Sequence, residues 1–510
     1  MSGNYNQKIY GDYQTPSEFT DIVSQYLKKE MQLSPTTIIE PTCGIGNFLY
    51  SSSKYFHESS LIGIDINPQY IAEAKSRLKS TKTTLFNSNL FEFDFSSIYN
   101  KSKSKDETLI LGNPPWVNNS TLSSLRGNNY PIKSNFKELK GIEAITGSAN
   151  FDICEYMILS LIEKFKNTNT VIAMLCKTTV ARNVFKELKR TNTFFTTARM
   201  VTFNAKKVFD VSVDGCLFIV RLTDSISTQD NCDVYDISNP NKLITSFGYN
   251  NGNFYSTLDN YTKTYDGKCC FEWRQGVKHD CSKIMELTKN GNIYINSKNE
   301  VVDIEEDFVF PLVKSSHIKN ILISSTRKFV IVTQKKVRED TSQIEKIAPK
   351  TWKYLLSNKK AFDNRKSSIY NKSPQFSMFG IGDYSYAKFK VGLSGFYKDC
   401  KFALLFSDKP IMMDDTCYFL SFSSYELAYI VMIILNNSTV QQFIKSISFL
   451  DSKRPYTKKV LERIDFAKCT DNLSVKDLIE TESLLGLKPF ITQKRYTDFI
   501  QLIKSTNSKL

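Results

Sequence analysis

A chain of 510 residues is too long for one ordinary domain, so two or three are expected. Its 41% hydrophobic and 13% aromatic content is ample for packed cores and excludes a disordered chain. A net charge of +15 suits a polyanionic partner such as nucleic acid, although a lysine- and asparagine-rich proteome would give the same balance.

The first 225 or so residues alternate strand-like and helix-like segments, the pattern of an α/β domain with a mainly parallel sheet. Thr15-Pro16-Ser17-Glu18 predicts a helix start, with Thr15 as N-cap, Pro16 at the first helical position and Glu18 completing a capping box. Phe19, Ile22, Val23, Tyr26 and Leu27 then share one helical face. Strands are expected at Thr37–Glu40, Leu61–Ile66, Thr83–Phe86, Thr108–Leu111 and Thr170–Cys176, and helices near Phe48–Phe56, Pro68–Leu78 and Phe151–Phe165. Asn67 before Pro68 is a second helix start. Arg199–Phe203 and Cys216–Val220, with Asp214-Gly215 nearby, read as a hairpin that finishes the sheet. A linker is placed near Thr223–Asp233, and a second, mixed α/β domain follows it.

Other classes are disfavoured. The N-terminus is polar and has no hydrophobic signal core, which argues against secretion. The longest apolar run, Leu427–Leu435, is far shorter than the roughly 20 residues that span a bilayer and reads as a buried helix. Eleven cysteines without a CxxC pair fit reduced thiols of a cytoplasmic protein. Three histidines far apart in sequence (His57, His279, His317) indicate no metal site.

Three segments carry chemistry. In Glu40-Pro41-Thr42-Cys43-Gly44-Ile45-Gly46-Asn47-Phe48, a strand end, a small-residue loop and a helix start follow one another, and the glycines let a ligand lie against bare backbone. A glycine pair after a strand is by itself as often a plain turn. Asp65 ends the next strand about 20 residues on, where a carboxylate suits a ribose diol; alone it could be a solvated strand-end charge. No GxGxxG or GxxxxGK[ST] is present, so the ligand need not carry a pyrophosphate; a nucleoside with a charged tail fits. The third segment is Gly112-Asn113-Pro114-Pro115-Trp116. The amino nitrogen of adenine is a poor nucleophile because its lone pair is delocalised into the ring. Two acceptors aimed at its hydrogens, the Asn113 side-chain oxygen and the Pro114 carbonyl, would favour a pyramidal nitrogen, and the prolines pre-set that geometry. Trp116 offers a face on which an extruded base could stack. A proline turn with an aromatic staple is the plain alternative, disfavoured by the two motifs before it.

In this order the segments resemble the gamma-class DNA adenine-N6 methyltransferases of type II restriction–modification systems. The resemblance covers about the first 225 residues. Tyr13-Gln14-Thr15-Pro16 is similar to the motif that precedes the family's glycine loop, and Asn113-Pro114-Pro115-Trp116 to its catalytic tetrapeptide, more often written with Tyr last. Asn150-Phe151-Asp152 opens the next helix as in the family, and Val208-Phe209 falls where members stack a second aromatic on the flipped base. One departure stands out: the family's Asp that accepts a hydrogen bond from the cofactor adenine aligns here with Asn89, whose amide oxygen can accept the same bond.

The resemblance implies a Rossmann-like, seven-stranded mixed sheet of the class I S-adenosylmethionine methyltransferase kind, over residues 1–230. Residues 231–510 would form a mixed α/β DNA target-recognition domain. It implies S-adenosylmethionine held by Tyr13, Thr15, Pro16, Glu40, Thr42, Cys43, Gly44, Gly46, Asp65, Ile66, Asn89, Leu90 and Asn113, with Asn113, Pro114 and Trp116 catalytic and Trp116 and Phe209 stacking on the base. The amino nitrogen attacks the sulfonium methyl directly, so no cysteine nucleophile is needed. Cytosine C5 chemistry would need a Pro-Cys dipeptide, which is absent.

The expected partners are duplex DNA and a separate cognate restriction endonuclease, since the cofactor motif begins too early for a fused N-terminal nuclease. Aromatic-basic clusters after residue 231 are the expected DNA contacts: Arg274 and Lys278, Arg365 and Lys366, and Lys453, Arg454, Lys458 and Lys459. For each the plain alternative is a solvated loop. Methyltransferases acting on RNA bases or on a protein glutamine carry the same tetrapeptide and are the rival class; they are usually shorter and lack a large C-terminal domain.

Overall fold

The computed structural model describes residues 14–79, 82–97, 106–116, 152–258 and 264–507. Tyr13, Asn150 and Phe151 lie outside these residues. The chain forms two compact units, 1–258 and 259–510.

The first unit is built on one mixed sheet. Its strands are β1 (Thr37–Glu40), β2 (Ser60–Asp65), β3 (Thr83–Asn87), β4 (Thr108–Gly112), β5 (Thr170–Lys177), β6 (Phe195–Phe203), β7 (Gly215–Leu222), β8 (Asn231–Asp236), β9 (Thr245–Asn250) and β10 (Asn253–Tyr255). They lie in the order β10-β9-β8-β6-β7-β5-β4-β1-β2-β3. Strands β1 to β5 run parallel, with Ile38 beside Leu61 and Leu109, and Ile110 beside Ile172. Their residues Ile38, Ile39 and Leu109 to Leu111 have no exposure, as buried parallel strands require.

The expected sheet of seven strands is therefore the larger part of a sheet of ten. β8 joins β6 in parallel, and β9 and β10 continue antiparallel. This moves the unit boundary from 230/231 to 258/259, and the expected linker at Thr223–Asp233 contains a turn and the start of a strand. The reason is packing: Phe247, Tyr249 and Phe254 gather on Phe185, so short polar strands are held by a few aromatic side chains. The expected hairpin is an antiparallel β6–β7 pair, Arg199 beside Ile219, but a short helix and not a tight turn joins the strands.

The unit's helices are α1 (Ser17–Lys29), α2 (Asn47–Tyr55), α3 (Pro68–Arg77), α4 (Ile153–Phe165), α5 (Thr178–Arg190) and α6 (Ala205–Phe209). At α3 the Asn67 side chain accepts from the Gln69 N–H at 2.9 Å, the N-cap expected there. At α1 the expectation fails. Pro16, not Thr15, is the N-cap residue and makes no side-chain cap, and Ile22 is 46% exposed, off the buried face. Helix α5, absent from the sequence reading, buries Val180, Val184, Phe185 and Leu188 at helical spacing.

The second unit carries two sheets. One has the strands Arg274–Gln275, Cys417–Phe422, Phe389–Ser394, Ala403–Phe406 and Leu322–Ile323, in that order. The other runs Val301–Val302, Ile293–Asn296, Glu286–Asn290, Lys328–Ile331, Val309–Val313 and Met412–Met413. The apolar run Leu427–Leu435 lies in the buried helix Tyr425–Asn436, and no single described helix is long and apolar enough to cross a membrane.

Candidate active site

The expected chemistry-bearing residues of the first unit collect at the C-terminal ends of β1, β2, β3 and β4, where open α/β sheets hold ligands. After β1 the chain turns through Gly44 and Gly46, whose φ angles of +49° and +81° favour glycine. The Gly44 N–H donates to Asp65 Oδ2 at 2.8 Å, and the Asn67 N–H to Asp65 Oδ1 at the same distance. The carboxylate that ends β2 thus pins both the glycine loop and the entry to α3. The Cys43 N–H donates to the Ile64 carbonyl at 2.9 Å, and burial pushes its thiol pKa up, as suits a packing residue.

Glu40, the last residue of β1, is 3% exposed. Its Oε2 has no hydrogen-bond partner among the described residues, nor do Thr42 Oγ1 and Asn47 Oδ1 in the same loop. Burial, reinforced by the nearby Asp65 charge, holds the Glu40 carboxyl well above the usual carboxylate range. Buried polar atoms left without partners cost free energy unless a ligand satisfies them. Their place beside a glycine loop fits a nucleoside with a cationic amino-acid tail.

Thr15, displaced from its expected cap, has a different partner: Asn113 Nδ2 donates to Thr15 Oγ1 at 3.2 Å. Because a carboxamide is planar, holding its nitrogen sets the direction of its oxygen. Pro114 is buried, and Pro115 and Trp116 are half-buried. The Trp116 indole N–H donates to the Leu175 carbonyl at 3.2 Å, and its ring meets Phe209 at 5.5 Å between centroids, inclined at 67°. Phe209 in α6 is backed by Phe19 and Phe203. The two aromatics expected to stack on a base, 93 positions apart, are therefore neighbours.

On the β3 side, Leu90 is buried, Ile66 is 46% exposed, and Asn89 Oδ1 accepts from the Phe91 N–H at 3.1 Å. Three supporting residues escaped the sequence reading as site members. Gln14 Oε1 accepts from the Ile45 N–H, Asn47 Nδ2 donates to the Thr15 carbonyl at 2.7 Å, and Lys177 pairs with Asp152 at 2.7 Å while Asp152 caps α4. Gln14 was legible, since it lies inside the quoted Tyr13-Gln14-Thr15-Pro16 segment. Lys177 had no motif to mark it.

In the second unit the expected DNA contacts divide. Lys366, Lys453, Lys458 and Lys459 are exposed, Lys458 reaching Glu462 at 3.5 Å. Arg274 is ion-paired to Glu272 and lies over the Tyr384 ring, Lys278 is 3.5 Å from Asp280, and Arg454 donates to the Asp415 carbonyl. Arg365 departs furthest from expectation. Its guanidinium donates to the carbonyls of Phe362, His279 and Ser377 and lies 3.7 Å from the Tyr370 ring centroid. Half-buried at the wall of an open cavity, it ties three carbonyls together. An open cavity of about 640 Å³, lined by His279, Asp280, Lys314, Arg365, Asp414 and Asp415, mixes both charge signs. Deeper still, Lys390 is 1% exposed, donates to the Ala387 carbonyl at 2.7 Å, and has its pKa lowered to about 7 by burial. Among the described residues no group of His, Cys, Asp or Glu is arranged to hold a metal ion.

Comparison with known proteins places this geometry. Residues 2–286 match the family model described as N-6 DNA Methylase. The type II methyltransferase M.NspV of Nostoc sp. (strain ATCC 29411 / PCC 7524) is 39% identical over 465 residues, covering 89% of this chain and 96% of the relative. M.CvrRI of Paramecium bursaria Chlorella virus XZ-6E is 32% identical over 111 residues, 22% of this chain and 26% of its own. Among solved structures, the type IIL restriction-modification enzyme MmeI in complex with DNA aligns with 99% of this chain and 78% of its own, at a TM-score of 0.52 and 13% identity, a likeness of fold alone. A family match over more than half the chain, with the M.NspV identity along most of it, makes this protein a member of the N-6 DNA methylase family, S-adenosylmethionine-dependent DNA methyltransferases.

Proposed function

We propose that the enzyme is adenine-specific, methylating the N6 amino group of an adenine extruded from duplex DNA at one short sequence, and that it works beside a separate cognate endonuclease. The observation that carries this reading is the Asn113 amide, held by Thr15 on a double-proline loop next to the Trp116–Phe209 pair.

When bound, S-adenosylmethionine supplies a methyl group on a sulfonium sulfur; the rest of the work falls to the chain. Asn113 Oδ1 and the Pro114 carbonyl accept from the two hydrogens of the adenine amine and free its lone pair toward the methyl carbon. Trp116 and Phe209 hold the extruded ring, and the prolines keep the acceptors from reorganising. On the donor side, Glu40 Oε2 would accept from the ammonium of the amino-acid tail, whose positive charge would favour the carboxylate form. The Asp65 carboxylate, which accepts the Gly44 and Asn67 N–H groups, would also receive the ribose hydroxyls. Ile66 would flank the donor's adenine, and the Asn89 amide oxygen would accept from its amino group. The second unit reads the DNA, with Lys366, Lys453, Lys458 and Lys459 on phosphates and Arg274 and Lys278 nearer the bases.

The test offers duplex DNA, RNA and a glutamine-bearing protein to the enzyme with isotopically labelled donor, then digests each. Label recovered as N6-methyldeoxyadenosine at one sequence supports the reading. Label confined to RNA or to glutamine overturns it.

A further inference from the structure

Trp116 touches two strands besides its own loop. The β4–β5 ladder ends with Gly112 beside Met174, and the carbonyl of the next residue, Leu175, receives the Trp116 indole N–H at 3.2 Å. On the neighbouring strand β7, Leu217 lies beside Leu175 and Gly215 beside Lys177. A Cβ on Gly215 would stand 3.1 Å from Trp116 Cη2 and 2.9 Å from Phe203 Cζ.

Gly215 is not among the residues with positive φ, so its backbone would accept any side chain. What asks for glycine is space beneath two rings. Phe203 has little room to yield, since its centroid lies 4.8 Å from Phe19 and 6.1 Å from Phe209. An added methyl would press on both rings, and Trp116, half-buried where Phe203 is 7% exposed, is the freer of the two to tilt. The hydrogen bond to Leu175 also bears on the choice of aromatic. An indole donates from within its ring while lying flat, whereas a phenol carries its only donor at the tip.

We propose that Gly215 and the Leu175 carbonyl form a seat that sets the plane of Trp116, making Gly215 a positioning residue for methyl transfer. This rests on Trp116 being the surface on which the target base stacks. Gly215 touches neither donor nor base in this reading and acts only through the tryptophan. A displacement of order 1 Å at a reacting group can cost about 100-fold in rate, so a tilted ring should show in the chemical step.

The test is a double-mutant cycle on the full-length enzyme, read by single-turnover methylation of duplex DNA. Gly215→Ala should slow turnover about 10-fold or more, with donor affinity by calorimetry and the KM for DNA within about twofold. In a Trp116→Ala background the same substitution should change the rate less than about twofold, because the ring it displaces is gone. Equal losses in both backgrounds would mean that Gly215 acts otherwise and would overturn the seat. Trp116→Phe leaves Gly215 unchanged while removing the indole N–H and the Cη2 that meets it, so it tests the seat even if Gly215→Ala misfolds. A several-fold slower rate is expected, and a wild-type rate would overturn the role of Leu175. Fluorescence of 2-aminopurine at the target position separates the underlying reading. A Trp116→Ala enzyme with wild-type rate and wild-type fluorescence response removes Trp116 from base stacking, and the seat falls with it. An altered response to Trp116→Ala together with an unaffected Gly215→Ala rate refutes the seat alone.

Discussion

The two units hold their charged residues in different ways. In the first, polar side chains at the strand ends are locked by backbone N–H groups and by one another. Asp65 takes two N–H donors, Thr15 holds the Asn113 amide, and Glu40 is buried with an oxygen to spare. In the second, the lysines expected to meet DNA are exposed or half-exposed, some beside acidic neighbours, as Lys278 is with Asp280 and Lys458 with Glu462. A transfer site needs geometry fixed before the substrate arrives, while a surface that meets phosphate needs charge that can exchange partners. Arg365 breaks the pattern, being a cation of the second unit held as firmly as anything in the first.

Asn113→Ala should show the largest effect. It should slow methyl transfer about 100-fold or more with donor affinity unchanged within a few-fold, since the proposed role of the lost acceptor is toward the amine and not the ribose. Turnover near wild type would break the claim that the first unit works through preset acceptors. Arg365→Ala tests the exception. It should lower unfolding free energy by about 2 kcal/mol by taking the guanidinium from the His279 and Ser377 carbonyls, while the Phe362 carbonyl keeps the backbone N–H of residue 365. Denaturant titration showing full stability, alongside altered sequence preference, would return Arg365 to the DNA surface. Asp65→Ala should weaken S-adenosylmethionine about 10-fold in calorimetry, because charge-assisted bonds to a ribose diol are lost. It should also loosen the glycine loop, since the Gly44 N–H loses its acceptor.

The buried ionisable groups sharpen the comparison through pH. Glu40 has its pKa raised by burial, so between its ordinary value near 4.5 and the raised one the folded state keeps a proton that the unfolded state releases. Ligand-free stability should fall as pH rises through that window, and Glu40→Gln should remove the fall while weakening donor binding. Lys390 goes the other way. With its pKa lowered from 10.5 to about 7, the unfolded state holds the extra proton in between, so stability should rise with pH over that range. Lys390→Met should flatten that slope. Melting curves across pH that left either slope unchanged in the variant would exclude that residue as its source. Smallest is Lys458→Ala with Lys459→Ala, which should weaken cognate and random duplex alike and reduce the salt slope by about 1 to 2.

Backbone signals made much of the first unit legible. Glycines 44 and 46 occupy left-handed positions, Asn67-Pro68 opens a helix, and β1 to β5 start where the apolar runs begin or one residue earlier. What stayed hidden depended on contacts across the fold. Thr15 has the spelling of a cap, yet its hydroxyl meets Asn113, 98 positions away, and no local pattern reports such a partner. Strands β8 to β10 read as the end of a linker and the start of the second domain because their few aromatic anchors are spaced among Asn, Ser and Gly. Arg365 reads as a DNA contact from its basic cluster, and no local pattern reports the three carbonyls that its guanidinium also holds. A fragment meant to isolate the first unit should accordingly end near residue 258 and not near 235, which would cut through β8.

The Thr15–Asn113 bridge also bears on how this sequence can be rearranged. The tetrapeptide that meets the base and the segment that leads into the donor loop are far apart along the chain, yet one hydroxyl ties them. Trimming or re-routing the chain ahead of α1 would leave every letter of Asn113-Pro114-Pro115-Trp116 intact while releasing the amide's orientation. A circularly permuted enzyme, or one grafted from relatives at the first helix, would keep its catalytic signature and lose its aim. Recombination inside this unit must therefore carry residues 15 and 113 together, as though they were one inherited character.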